Sequence, residues 1–170
     1  MPWKNGRGET VEIAVFPQGA TVDTFDWRIS MATVSEDGPF SVFDGIDRTL
    51  SIIEGAGLVL FVEGRDAVLL TQTSMPHPFP ADAQTTAKLA NGTITDLNVM
   101  TRRGRFSHSV EKIVAPMTLG PSAGATLVLC HRGAMRVENE TLVSLDCVVL
   151  ETGKTVEIGG SGKGFVIRLF

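Results

Sequence analysis

The chain has 170 residues, 43% of them hydrophobic and 20% charged, with 18 glycines and 8 prolines; this suits one good core or two small fused ones and does not suit a disordered segment. A net charge of −4 excludes a global basic field for nucleic acid or an anionic membrane surface, and no apolar run approaches the roughly 20 residues needed to span a bilayer. The start lacks the charged, apolar and small-residue order of a secretory leader, so a cytoplasmic address is expected, with Cys130 and Cys147 as buried thiols in apolar runs rather than a disulfide.

Glycine and proline break the sequence into short apolar runs about 8 to 12 residues apart, the mark of an all-β sandwich or barrel. The opening "MPWKNGRGETVEIAVFPQ" places a proline, an indole, an amine and an amide before a glycine turn and a strand over Thr10 to Phe16. Those first side chains are too few to form a core and must dock on something contributed later. In "FDWRISMATV", Phe25, Trp27, Ile29 and Met31 point one way and Asp26, Arg28 and Ser30 the other, which predicts a half-buried strand. "DRTLSIIEGAGLVLFVEGRDAVLLTQ" reads as three strands separated by a glycine turn and a Glu-Gly turn, a meander of antiparallel hairpins. A weak helix candidate covers Ala81 to Leu89, and further strands are predicted over Ile94 to Thr101, Thr126 to His131, Val143 to Leu150 and Phe165 to Leu169.

Laying "LSIIEGAGLVLFVEGRDAVLL" over "LVLCHRGAMRVENETLVSLD" puts Gly55 on Gly133, an offset of 78 residues. Identity is low, but the hydrophobic pattern matches, which suggests two β-barrel halves. The expected halves are residues 1–110 and 111–170, and the absence of a low-complexity linker predicts one compact body.

The blocks "PWKNGRGETVEIA", "FDWRISMATVSEDGPFSVFDGIDRTLSIIEGAG", "PHPFPAD" and "DLNVMTRRG" resemble, in order and with natural spacing, the motifs of the HutD/Ves family, bacterial members of the cupin superfamily associated with histidine utilisation. The resemblance runs from residue 2 to about residue 105, and the tail from Thr126 is compatible with it. It implies a bicupin, two small double-stranded β-helix barrels in one chain, with a pocket and no bound metal or other cofactor. It further implies a regulatory role, in which a pathway intermediate such as N-formylglutamate is bound. Two departures fall in loops: Arg7 interrupts the usual glycine run after Trp-Lys-Asn, and Phe79-Pro80-Ala81-Asp82 replaces the usual Phe-x-Gly-Asp. Family members also generally carry a strand ahead of the first block, so that strand is either dispensable or the start is misplaced.

The chemistry of the residues points the same way. Metal-dependent cupins use a His-x-His pair, a Glu and a later His, whereas His77, His108 and His131 form no such pair. There is no tyrosine to act as the phenolic acid of a metal-free cupin epimerase, and no Gly-x-Ser-x-Gly elbow for a nucleophile. No catalytic residue is assigned.

What remains is a set of polar groups on strands. Asp96, Asn98, Met100 and Arg102 share one face with Ile94, either lining a wet pocket or forming an outward face. Arg48 opens its strand at a barrel mouth, where a five-donor fork suits a carboxylate, or alternatively pairs with Asp44 or Asp47. Arg28 is a similar case with a structural leaning. Arg102, Arg103 and Arg105 read as a solvated turn rather than a nucleic-acid patch, and His77 as a rim or surface-loop residue. On the family reading Trp3 supplies an apolar wall, Lys4 a charge and Asn5 a two-way hydrogen-bond group, unless Trp3 simply staples the N-terminus to the sheet.

The resulting expectation is a small-anion receptor of the histidine-utilisation pathway with Lys4, Arg28 and Arg48 as charge partners, Asn5, Asp96 and Asn98 setting polar selectivity, and Trp3 and Phe79 as apolar walls. Two alternatives stand beside it: a cupin-type enzyme moving protons on a small acid with His77 or His108 as base, and an interaction module with a filled barrel. No nucleic-acid or membrane partner is expected, and cupin edge strands allow a homodimer.

Overall fold

The protein is described from a computed structural model, which places residues 1–2 and 8–170. Every regular element among the described residues is a β-strand. None of them forms a helix long and apolar enough to cross a membrane. Contacts divide the chain into two units, Met1–Ser107 and His108–Phe170.

The first unit contains β1 (Gly8–Phe16), β2 (Trp27–Val34), β3 (Gly38–Pro39), β4 (Ile46–Glu54), β5 (Leu58–Val62), β6 (Val68–Leu70), β7 (His77–Pro80), β8 (Thr85–Leu89) and β9 (Ile94–Arg102). They form two sheets, in the orders β1-β2-β9-β4-β7 and β3-β8-β5-β6, with antiparallel pairing throughout. The second unit contains β10 (His108–Val114), β11 (Met117–Leu119), β12 (Ala125–Arg132), β13 (Met135–Val137), β14 (Glu140–Leu142), β15 (Cys147–Leu150), β16 (Val156–Gly160) and β17 (Lys163–Leu169). Its sheets run β10-β17-β12-β15 and β11-β16-β13-β14. With β1 set aside, the two units have the same strand order in both sheets.

The equivalence extends to single residues. The β4–β9 ladder slips between Ile52 and Glu54, and the β12–β17 ladder slips between Cys130 and Arg132, in each case just before a glycine at positive φ. Those glycines are Gly55 and Gly133, the pair that the 78-residue echo superposes. A bulge needs an extra residue and a left-handed turn lets the strand leave its sheet, so glycine is the residue that fits.

Two strand assignments and the helix differ from the sequence reading. β4 and β5 belong to different sheets, so the glycine turn between them is a crossing and not a hairpin; only β5 and β6 pair as the expected meander. Gly55 and Gly57, both at positive φ, carry the chain across. The run Val143 to Leu150 is strand only from Cys147, because the Val143 N–H bonds Asp146 Oδ2 at 2.9 Å and Leu145 adopts φ 74°. The helix candidate over Ala81 to Leu89 is a turn followed by β8, whose Thr85 and Ala87 face inward while Thr86 and Lys88 face out. Two adjacent β-branched threonines favour that pleated alternation over a helical turn.

Each unit buries its core between its two sheets. In the second unit the main buried cluster is hydrocarbon and one thiol, with Val128, Cys130, Met135, Val137, Ile158 and Val166 among its members. In the first unit Leu50, Ile52, Leu58, Leu60 and Ile94 form the corresponding cluster, and a smaller one gathers Phe25, Ile46, Ala81 and Met100. Beside these clusters the first unit is hollow.

Candidate functional site

The hollow is a cavity of about 410 Å³ in the first unit. Arg28, Ser30 and Ala32 of β2, Asp96, Asn98 and Met100 of β9, and Arg48 of β4 line one side, with Pro39, Phe40, Ser41 and Phe43 opposite and Met1, Pro2 and Thr10 near the chain start. The registers Arg28↔Met100, Ser30↔Asn98, Ala32↔Asp96 and Arg48↔Met100 explain why these residues share a wall: side chains of cross-strand partners lie on the same face. The polar alternation of "FDWRISMATV" and "TITDLNVM" therefore lines an interior space. The half-buried strand expected for β2 is in fact buried almost throughout, its polar face closed over a cavity rather than turned to bulk water.

Arg48 is 7% exposed. Its Nε and Nη2 both donate to Asn98 Oδ1, at 2.8 and 2.5 Å. Its guanidinium lies 4.6 Å from the Phe40 ring centre and 5.6 Å from that of Phe79. A planar, weakly hydrated cation over two aromatic rings is held by electrostatic attraction to the rings as well as by its hydrogen bonds. Burial pulls the Arg48 guanidinium down to about 10, with Asp96 opposing that shift and Arg28 adding to it.

Asn98 turns its amide to Asp96, with Nδ2 donating to Oδ1 at 2.5 Å. Asp96 is 1% exposed, and its Oδ2 is buried without a hydrogen-bond partner. Burial pushes its carboxyl up to about 6, against the downward pull of Arg48, the Asn98 amide and the Ala32 backbone. Arg28, also 7% exposed, gives Nε to Glu12 Oε2 of β1 at 2.9 Å. Among the described residues, no hydrogen bond is made by Nη1 or Nη2 of Arg28 or by Nη1 of Arg48. Among the described residues, two fixed cations with donors to spare thus face the cavity, opposed there by one carboxyl whose ionisation burial resists.

The structure brings Arg28, Arg48, Asp96 and Asn98 together on this wall. Phe79 is buried behind Arg48 instead of lining the cavity. Trp3, Lys4 and Asn5 lie outside the described residues. Arg48 does not pair with Asp44 or Asp47: Asp47 is taken by Arg103, which also bridges Asp82, at 2.7 and 2.9 Å. Arg102 donates to the Phe25 carbonyl and Arg105 to Asp26, so the arginine cluster pins neighbouring loops through specific partners rather than standing as a merely solvated turn. His77 sits on β7, not in a loop, its ring stacked near Phe79, and burial followed by the Arg65 charge holds it below the usual histidine range. His108 begins β10 in the second unit.

Phe40 escaped the sequence reading. Its signal is the turn "EDGPF", which pairs β3 with β8 and delivers the ring opposite β4, but a cross-barrel cation–ring contact has no spacing in the chain. Among the described residues no three His, Cys, Asp or Glu side chains gather as a metal site requires. Both cysteines are free thiols. Cys130 is buried, and Cys147 is partly buried, its thiol pushed by burial to about 11.

In the second unit the positions equivalent to Arg48, Asp96 and Asn98, counted from the matching bulges, are Thr126, Gly164 and Val166. None of these three residues is charged; further along the same wall Arg168, opposite Thr126 in register, is paired with Glu111 at 2.6 Å, and an apolar cluster packs the interior.

Comparison with known proteins identifies the fold and the family. The chain is 37% identical over 144 residues to Protein Ves of Citrobacter koseri, covering 84% of this chain and 73% of that protein. It is 32% identical over 156 residues to the 21.2 kDa protein in the hutC 3' region of Pseudomonas putida, covering 89% and 81%. Among solved structures it matches HutD from Pseudomonas fluorescens SBW25 with a TM-score of 0.85 and 30% identity, over 99% of this chain and 91% of that one. A cupin 2 conserved barrel domain protein from Leptotrichia buccalis matches with a TM-score of 0.59 over 100% of this chain and 91% of that one, but at 9% identity, a likeness of fold alone. The fold is that of the cupins, with two barrel halves in one chain, and, with the HutD family model matching residues 1–167, the chain belongs to the HutD family.

Proposed function

We propose that the cavity of the first unit is a receptor site for a small organic anion and that occupancy of the site moderates histidine utilisation. Arg28 and Arg48 take the anionic groups, Asn98 and Asp96 set polar selectivity, and the rings of Phe40 and Phe43 supply the apolar side. The ligand that suits this array is a compact dicarboxylate with an amide, of which N-formylglutamate is the example from the pathway named by the family. The protein acts in the cytoplasm, without a resident metal or other cofactor. The observation that carries the reading is the pair of buried guanidiniums on one cavity wall, each with donors not taken by a described residue. The names of the relatives support the pathway: one is a HutD, and another lies in a hutC region.

Burying two arginines costs several kcal/mol unless they are paired, and an anion that completes the pairing recovers part of it. Calorimetric titration with N-formylglutamate, glutamate, urocanate and formate tests the reading. Saturable binding of N-formylglutamate that Arg48→Met abolishes is expected, and the absence of binding by all four would overturn it.

An enzymatic reading has one observation in its favour, the carboxyl of Asp96 held near 6, where a general base works well. Acid–base turnover needs a second titrating group, and no other carboxyl, histidine, lysine, cysteine or tyrosine side chain stands among the described lining residues.

A further inference from the structure

We propose that Asp96 is the internal counter-ion of the cavity arginines and that binding of an anion between Arg28 and Arg48 is coupled to uptake of one proton by Asp96 at Oδ2. This rests on the anion-receptor reading above and adds to it the protonation state in which the site is filled.

The geometry assigns the proton's place. Asn98 cannot turn its amide over, because its carbonyl oxygen receives two N–H donors of Arg48. Its Nδ2 must therefore face Asp96, and Oδ1 must remain an acceptor. Oδ2, buried and without a hydrogen-bond partner, is the oxygen that can take a proton without giving up the Asn98 contact. A carboxylate with one dehydrated, unpaired oxygen is poorly stabilised as an anion, so its charge depends on the positive field beside it.

Among the described residues that field comes from few groups, and the α-ammonium of Met1 at the cavity edge is bonded to the Thr10 carbonyl. Arg48 on β4 acts directly on Asp96. Arg28 on β2 stands on the same wall, partly neutralised at Nε by the more exposed Glu12 of β1. Ser30 and Ala32, the cavity residues of β2 nearest in register, carry no charge. His77 on β7 pairs in register with Leu50 and is kept toward its neutral form. Glu54 lies beyond the bulge and is exposed.

An anion that neutralises Arg48 removes the group that chiefly opposes the effect of burial on Asp96. The carboxyl already titrates near 6 in the empty site, so its midpoint moves up through neutrality, and a proton from solvent forms the O–H bond on Oδ2. The complex then holds two guanidiniums, the ligand anion and a neutral acid. Asn98 is the positioning residue that keeps the carboxyl and the guanidinium in register.

The sign is set by linkage: the liganded form binds the proton more tightly, so affinity rises as pH falls from the liganded midpoint to about 6 and is level below that. The dissociation constant is expected to fall by up to about tenfold per pH unit across that window.

The test is calorimetry of N-formylglutamate and, separately, formate at about pH 7.5 in triethanolamine and in Tris, two cationic buffers whose ionisation enthalpies differ and which do not compete as anions. The expected result is close to one proton taken up per anion. Asp96→Asn keeps the Oδ1 acceptor and places a neutral group at Oδ2; it is expected to bind at about pH 8 at least as tightly as the wild type does at about pH 6, with no proton uptake. Binding of either probe without proton uptake overturns the proposal, as does a folded Asp96→Asn variant that binds more weakly at every pH. If that variant does not fold, the wild-type proton count decides. Binding of neither probe sinks this proposal and the receptor reading together. Formate uptake with a proton, but no N-formylglutamate binding, removes that ligand and leaves the coupling standing.

Discussion

Arg48 and Asn98 are joined through a single oxygen: two guanidinium nitrogens, at 2.8 and 2.5 Å, converge on Asn98 Oδ1. One amide thereby fixes a buried cation that also lies over the rings of Phe40 and Phe79, and donates its own Nδ2 to Asp96. Lysine carries the charge without the fork and without the flat face. Arg48→Lys is expected to leave the fold intact by circular dichroism and to weaken anion binding by at least about tenfold in calorimetry, because the Asn98 contact and the ring contacts are lost together. Unchanged affinity would mean that charge alone suffices.

Asp96 also predicts how stability depends on pH. Its folded midpoint, about 6, lies above the ordinary 3.8. An acid with a raised folded midpoint favours the folded state when protonated, so its penalty is absent below about pH 4, grows through about pH 6 and is constant above. The full penalty is on the order of 3 kcal/mol for such a shift. Asp96→Asn is therefore expected to unfold at higher denaturant than wild type at about pH 8 and at nearly the same denaturant at about pH 4. Equal gains at both pH values would point to packing instead of ionisation.

The matching glycines should differ in their tolerance. A Cβ at Gly55 would sit 2.5 Å from the Thr93 carbonyl oxygen, whereas at Gly133 the nearest atom is the Gly162 Cα at 3.2 Å. Both positions have positive φ, which costs an alanine about 1 kcal/mol. Gly133→Ala is expected to lose about that much in denaturant unfolding, and Gly55→Ala about 2 kcal/mol or more, since backbone must move. Similar losses would mean that the Thr93 segment shifts easily.

How much of this was legible in the chain follows from the kind of information each feature needs. Strands were readable where apolar residues alternate, as over Ile94 to Arg102, and so was the shared face of Asp96 and Asn98. The Gly55 and Gly133 echo was readable because a bulge with a left-handed turn demands glycine at one place. The crossing at Gly55 and Gly57 was not: a hairpin and a sheet change use the same turn residues, and the pairing partner of β4 lies some forty residues on, in β9. Nor was the burial of Arg28, whose alternation reads the same over water as over a cavity. Phe79 of β7 and Phe40, just past the end of β3, reach Arg48 from distant parts of the chain, which no local pattern records.

Thr126 stands where the first unit has Arg48, and its Oγ1 is buried without a hydrogen bond. An unpaired buried hydroxyl costs about 1 to 3 kcal/mol, and valine has the same shape without that group. Thr126→Val is expected to raise the unfolding midpoint, with a gain of about 1 kcal/mol in chemical denaturation. A loss would show that the hydroxyl has a partner in solution.

The repeated strand order has a further meaning. If the same roll can be either dry or charged inside depending on what occupies three wall positions, then the capacity to host a guest is not a property of the architecture. On the receptor reading it lies in an arginine, an aspartate and an asparagine, for which the second unit has a threonine, a glycine and a valine. Selection on one copy can then proceed without rewriting the scaffold of either.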